Sequence, residues 1–198
     1  MPHVQRGDLV CLQAGLQSFY SDPYWPYGNV CEVTFEYAYV LELGETALPE
    51  RYSSAWAHGT RVRNILDKNV LPGRTAMATL EVLERELTAA GYLFLKAQDY
   101  VFGDARVQVP LDMHAAGKGY YAPRLGYMGP DWQREMVLPE NHHFYNEYWI
   151  YTHVPEWGDD KYLSIQFHDG AFATAQGTFY PAPHPTEIRL LGGAEQKK

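Results

Sequence analysis

Between residues 30 and 43, Cys31, Val33, Phe35, Tyr37, Tyr39, Leu41 and Leu43 alternate with Val30, Glu32, Thr34, Glu36, Ala38, Val40 and Glu42. A period of two places these sets on opposite faces of a strand, one apolar and aromatic, the other acidic toward both ends. Such alternation belongs to an antiparallel sheet with one wet face, because buried parallel strands read as continuous apolar runs. A second pattern follows. Ala76, Leu80, Leu83, Leu87 and Ala90 recur at helical spacing, with Glu81, Glu84, Arg85 and Glu86 on the remaining surface. This predicts a helix over 75–90 lying across the apolar face of the sheet. Gly91 stops it, and Tyr92 folds back toward Leu87.

Weaker signals complete the plan. Residues 9–13, 92–97, 107–111 and 144–154 read as strands, and 188–191 as a short edge strand. Residues 162–168 and 171–179 read as a hairpin turned at Asp169-Gly170, a favoured two-residue turn that would pair Phe167 with Phe172 and Ile165 with Thr174. Residues 44–73 read as irregular apart from a short helix near 60–68. The glycines and prolines of 113–141 mark a long loop, either functional or a covering flap. No internal repeat is present. The class expected is α+β: a mainly antiparallel twisted sheet packed against one principal helix, about 75–90, with long irregular loops. Residues 1–198 are expected to form a single domain with a flexible polar tail at 192–198.

Composition narrows the function. A chain of 198 residues buries roughly 70% of its unfolded surface and needs no disulfide staples. Cys11 and Cys31 therefore read as two small buried hydrophobes rather than a bridge. The net charge of −8 is spread over both halves and excludes a basic nucleic-acid-binding module. The basic stretch Arg51, Arg61, Arg63, Lys68 and Arg74 is interrupted by Asp67 and reads as solvated surface. No apolar run approaches the roughly 20 residues of a membrane span, and residues 1–8 lack a signal core. A cytoplasmic protein with no membrane partner is expected.

Candidate chemistry concentrates in the last third. If Phe144, Tyr148, Ile150 and Val154 face inward, the other face of that strand shows His143, Tyr145, Glu147, Trp149, Tyr151 and His153. Imidazole and carboxylate are the usual ligands of zinc-like ions. Residues i and i+4 of a strand, however, lie roughly 13 Å apart at about 3.3 Å per residue. His143, Glu147 and His153 cannot share one ion, so a site needs one of them with His168 or His114 from elsewhere. The metal candidates are thus His143, His153 and His168, and the catalytic candidates, for an acid–base enzyme, His143, Glu147 and His168. No nucleophile elbow or phosphate-binding loop is present, and no cofactor is expected.

What remains is a contact surface. Glu32, Glu36 and Glu42 line the acidic strand face, Tyr24, Trp25 and Tyr27 share one loop, and Trp132 lies in another. Rigid aromatics and an acidic face suit capture of a basic protein. The leading expectation is a non-enzymatic binding protein, of the kind that inhibits a toxin as an immunity protein does. The alternative is a hydrolase or lyase, with or without metal, built on the His/Glu cluster. A third reading is a carbohydrate- or small-ligand-binding module using Tyr24, Trp25, Tyr27 and Trp132.

Overall fold

The computed structural model describes residues 3–18, 29–115 and 121–192, with side chains for all of these except 14–18 and 29–34. In chain order its elements are β1 (Leu9–Ser18), β2 (Asn29–Val40), α1 (Glu50–Asn69), α2 (Ala76–Ala89), β3 (Leu93–Leu95), β4 (Gln108–Pro110), β5 (Asp112–Ala115) and β6 (Leu125–Gly126). The short helix α3 (Asp131–Glu135), β7 (His142–His153), β8 (Tyr162–Thr174), β9 (Gly177–Phe179) and β10 (Arg189–Leu191) follow. The sheet runs β1-β2-β8-β7-β4-β3, with β10 on β2, β5 on β7 and on β6, and β9 on β8. Most pairings are antiparallel, but β3–β4 and β10–β2 are parallel.

The alternating segment forms β2, antiparallel to β1, and Tyr37, Tyr39 and Leu41 enter the core as expected. The apolar face stops there, since Leu43 is 82% exposed. The helix read from spacing is α2. Thr75 Oγ1 caps it by accepting the Ala78 N–H, and the Tyr92 N–H closes onto the Leu87 carbonyl across Gly91, whose φ is 88°.

The expectation of one principal helix needs correction. The segment read as irregular apart from a short helix near 60–68 holds the longest helix among the described residues, α1, and it is α1 that packs on β7, β8 and β9, while α2 packs on α1, α3, β3 and β6. The buried residues of α1 are Tyr52, Ala55, Trp56, Gly59, Val62, Arg63 and Leu66, a regular helical stripe. Its middle members are a glycine and an arginine, which hide it from an apolar-period search. Both have structural reasons. A Cβ on Gly59 would lie 2.0 Å from Cζ of Phe167 on β8. That ring is itself stacked on Tyr148 at 5.0 Å and tilted against Trp56 at 4.9 Å, so it cannot retreat. Arg63 donates to Asp169 Oδ2 at 2.6 Å, with both side chains about 95% buried. Beside this pair, Asn146 donates to the Tyr180 hydroxyl and Tyr180 donates to Asp67 Oδ1, each at 2.5 Å.

Asp169-Gly170 is not a turn. β8 runs through both residues, pairing Asn146 with Asp169 and Tyr145 with Gly170 in an unbroken ladder from His142↔Ala173 to His153↔Tyr162. Phe167 therefore lies opposite Tyr148, and Phe172 opposite His143. The chain reverses at Ala175-Gln176 instead, with Gly177 at φ 116°. Asp169 stays extended because its carboxylate is buried against Arg63, a partner no local turn rule can see. Cys11 is an exposed thiol opposite Tyr37, whereas Cys31 is opposite Leu16. Six positions along the ladder put them far beyond disulfide reach. Among the described residues, no helix is long and apolar enough to cross a membrane.

Two outcomes test how α1 is seated. In an ordinary helix interior Gly→Ala stabilises by roughly 0.5–1 kcal/mol. Gly59→Ala is expected to reverse the sign and cost about 1–3 kcal/mol by overpacking, read from urea unfolding. Arg63→Met leaves Asp169 buried without its cation and is expected to cost about 3–5 kcal/mol, part of which returns in Arg63→Met/Asp169→Asn. A loss under about 1 kcal/mol in the single variant would refute the pair's role in seating the helix.

Candidate functional site

The two long paired strands have distinct faces. Phe144, Asn146, Tyr148 and Ile150 of β7 and Ile165, Phe167, Asp169 and Ala171 of β8 face α1. Successive residues point oppositely, so His143, Tyr145, Glu147 and Trp149 share the far face with Gln166, His168, Gly170 and Phe172. On β5, His114 lies opposite Tyr145 and joins that face.

Three adjacent strands thus each contribute one group. Glu147 is directly opposite His168, and His114 is its diagonal neighbour across β5–β7. Ligand atoms of His114, Glu147 and His168 all lie within 4.8 Å of one another. His114 Nε2 sits 3.2 Å from Glu147 Oε2. Gln166 Nε2 donates to the other oxygen, Oε1, at 2.6 Å and sets the carboxylate's orientation. The His168 ring is stacked between Phe35 at 4.9 Å and Tyr145 at 4.6 Å. Asp112, two residues before His114, is held by both Nε and Nη2 of Arg124 at 2.7 and 2.6 Å.

Burial disfavours a proton on His114, but the hydrogen bond and charge of Glu147 outweigh it, with smaller help from the Ala115 carbonyl and Asp112, and its pKa is raised. His143 is half-buried, stacked on Phe172 at 4.6 Å, and burial lowers its pKa.

The donor set can be tested against a metal. Two imidazoles and one carboxylate are the protein ligands of known catalytic zinc sites. Two donors on one tetrahedral ion at about 2.1 Å lie roughly 3.4 Å apart, close to the 3.2 Å between His114 and Glu147. With all three ligand atoms within 4.8 Å of one another, the residues fit such an ion.

Of the catalytic residues expected from sequence, Glu147 and His168 converge, and His114 joins them where His143 was expected. His143 lies apart over Gly170, and His153 contacts the Asp159 carbonyl at 2.8 Å at the far end of β7. Gln166, Tyr145 and Phe35 were missed as supports. The register of β8 on β7 and β2 places them there, but the false turn at Asp169-Gly170 concealed it.

The expected partner surface fares differently. Glu36 pairs with Arg189 at 3.0 Å, Ala38 between the acids is buried, and Glu42 is exposed. Trp132 is 39% exposed beside Tyr121. The side chain of Glu32, and Tyr24, Trp25 and Tyr27, lie outside what is described.

No protein-family model matches the chain, and no curated protein matches it in sequence. Solved structures do. The X-Pro aminopeptidase of Thermotoga maritima superposes with a TM-score of 0.59 at 15% identity, over 95% of this chain and 43% of its own. A recombinant prolidase of Thermococcus sibiricus gives 0.59 at 12% identity, over 96% and 42%. The N-terminal domain of FACT complex subunit SPT16 from chickpea (Cicer arietinum) gives 0.50 at 8%, over 90% and 36%. The chain thus spans about two fifths of the peptidases it resembles. This likeness, at such identities, establishes the fold: mixed α+β with a curled sheet and few helices. It overturns the expectation of an immunity-type toxin inhibitor, because the solved structures that share the fold include peptidases, and a His/Glu cluster occupies one sheet face.

The His114–Glu147 pair has a definite pH signature in metal-free protein. A raised folded pKa means that its stabilisation is complete below about 6.5, the unfolded value, and is lost as pH rises through the higher folded value. The urea midpoint is expected to fall across that window relative to His114→Gln, which lacks the pair. Parallel pH profiles for the two proteins would contradict the assignment.

Proposed function

We propose that this chain is a metal-dependent hydrolase acting on peptide bonds, with His114, Glu147 and His168 as the ligands of a divalent ion. The observation that carries this reading is the convergence of those three groups, one from each of three adjacent strands, on the sheet face away from the helices. The peptidase names of the chains that share the fold support the substrate class; fold alone does not carry function.

A bound divalent ion supplies an activated water and polarises a scissile carbonyl. The chain's own residues do the rest. Gln166 holds Glu147 Oε1, leaving Oε2 to face the cluster. Phe35 and Tyr145 clamp the His168 ring by its faces, so only its edge nitrogens are available to a ligand. Such outer contacts fix ligand orientation and typically matter 10–100-fold in metal affinity. Without an ion, Glu147 Oε2 accepts a hydrogen bond from the His114 Nε2–H.

The test is metal titration and turnover on the same protein. Zinc, cobalt and manganese are titrated into chelator-treated protein, and hydrolysis of a dipeptide panel that includes Xaa-Pro sequences is followed by amine release. Micromolar or tighter binding is expected, and Glu147→Gln or His168→Ala should reduce turnover at least about 100-fold. Protons compete for His114, so apparent metal affinity should rise with pH through its raised pKa. Absence of binding below millimolar metal, or turnover indifferent to both substitutions, would sink the reading.

A further inference from the structure

On the helical side of the sheet, away from the His/Glu cluster, α1 and the end of α2 border an open cavity of about 470 Å³. This is within the usual range of small-molecule sites. Its walls are mostly apolar, formed by Ile65 on α1, Ala90 at the end of α2 and Val107 just before β4. One cation, Arg61, stands in its lining.

Arg61 is held in place, but not by a carboxylate. Its Nε–H donates to the Tyr92 hydroxyl at 3.3 Å and its Nη2 lies 2.9 Å from His58 Nδ1. Both partners are neutral acceptors: accepting at Nδ1 requires an uncharged imidazole. Burial and the charge of Arg61 both push the His58 pKa down, in keeping with that form. The His58 ring packs edge-on to Tyr92 at 5.7 Å and braces the arrangement. Arg61 makes no ion pair among the described residues. Among the described residues, an oriented arginine fork without an ion pair therefore borders an open, mostly apolar cleft.

We propose that this cavity binds a small monocarboxylate with a compact apolar body. The carboxylate pairs with the free N–H groups of Arg61, and the body lies against Ile65, Ala90 and Val107. The site offers one positive charge, since His58 is neutral, and so it suits a monoanion rather than a phosphate dianion. The two existing hydrogen bonds of Arg61 mean that part of the ordering cost of binding is already met.

Hexanoate and its neutral counterpart hexanamide separate charge from shape. Each is titrated into the full chain in chelator, followed by amide shifts in two-dimensional NMR spectra and by calorimetry. We expect saturable hexanoate binding at least tenfold tighter than hexanamide, weakening with added salt. Arg61→Gln should bring hexanoate down to the level of the amide, and Val107→Trp should abolish binding of both. Arg61 is exposed, so its replacement leaves the core intact. Equal affinity for acid and amide, no saturable binding of either, or hexanoate binding unchanged in Arg61→Gln would each overturn the proposal.

Discussion

A guanidinium and a carboxylate meet at 2.6 Å inside the apolar layer between α1 and the sheet. Neither Arg63 nor Asp169 could be buried alone, since an unpaired charge in that layer costs several kcal/mol. The pair therefore sets the position of α1 along β8, and Gly59 sets its depth by letting the helix backbone rest against the Phe167 ring. The consequence reaches through the sheet. Neighbouring residues of a strand point to opposite faces, so anchoring Asp169 toward the helix turns His168 toward the other side. A slip of one residue would exchange them, setting an imidazole against Arg63 and parting the Asp169 carboxylate from its cation.

The far face inherits its organisation from that register. Glu147 meets His168 because β7 and β8 pair without interruption, and His114 reaches them because β5 lies on the opposite edge of β7. The cluster needs three strands because one strand spreads its side chains too widely. Aromatic rings then replace water around the imidazole, which strengthens the local electrostatics and holds the ring in one orientation. Resemblance to peptidase structures accounts for the sheet and its helices. The proposed chemistry rests instead on the side chains of His114, Glu147 and His168, since a shared fold hosts unrelated activities.

Some elements were legible from local pattern alone. β2 and α2 follow from their hydrophobic periods because packing, capping and propensity all agree within those segments. Strand rise alone also keeps His143, Glu147 and His153 of β7 from meeting at one ion. The failures share one cause. Gly59 and Arg63 in α1, and Asp169-Gly170 in β8, are residues whose local preference is overruled by a partner distant in the chain. Arg63 and Asp169 are 106 positions apart, and each made the other's segment unreadable.

The sequence by itself determined the α+β class, the strand over most of 30–43, the helix capped at Thr75, and the presence of imidazoles and a carboxylate near the last long strands. Those are properties of short windows, in which spacing dictates which side chains share a face. Tertiary structure decided which helix lies on the sheet, where the last hairpin turns, and which histidines gather around Glu147. These depend on strand register and on a buried ion pair, both interactions between segments, whose energies appear only when distant residues come into contact.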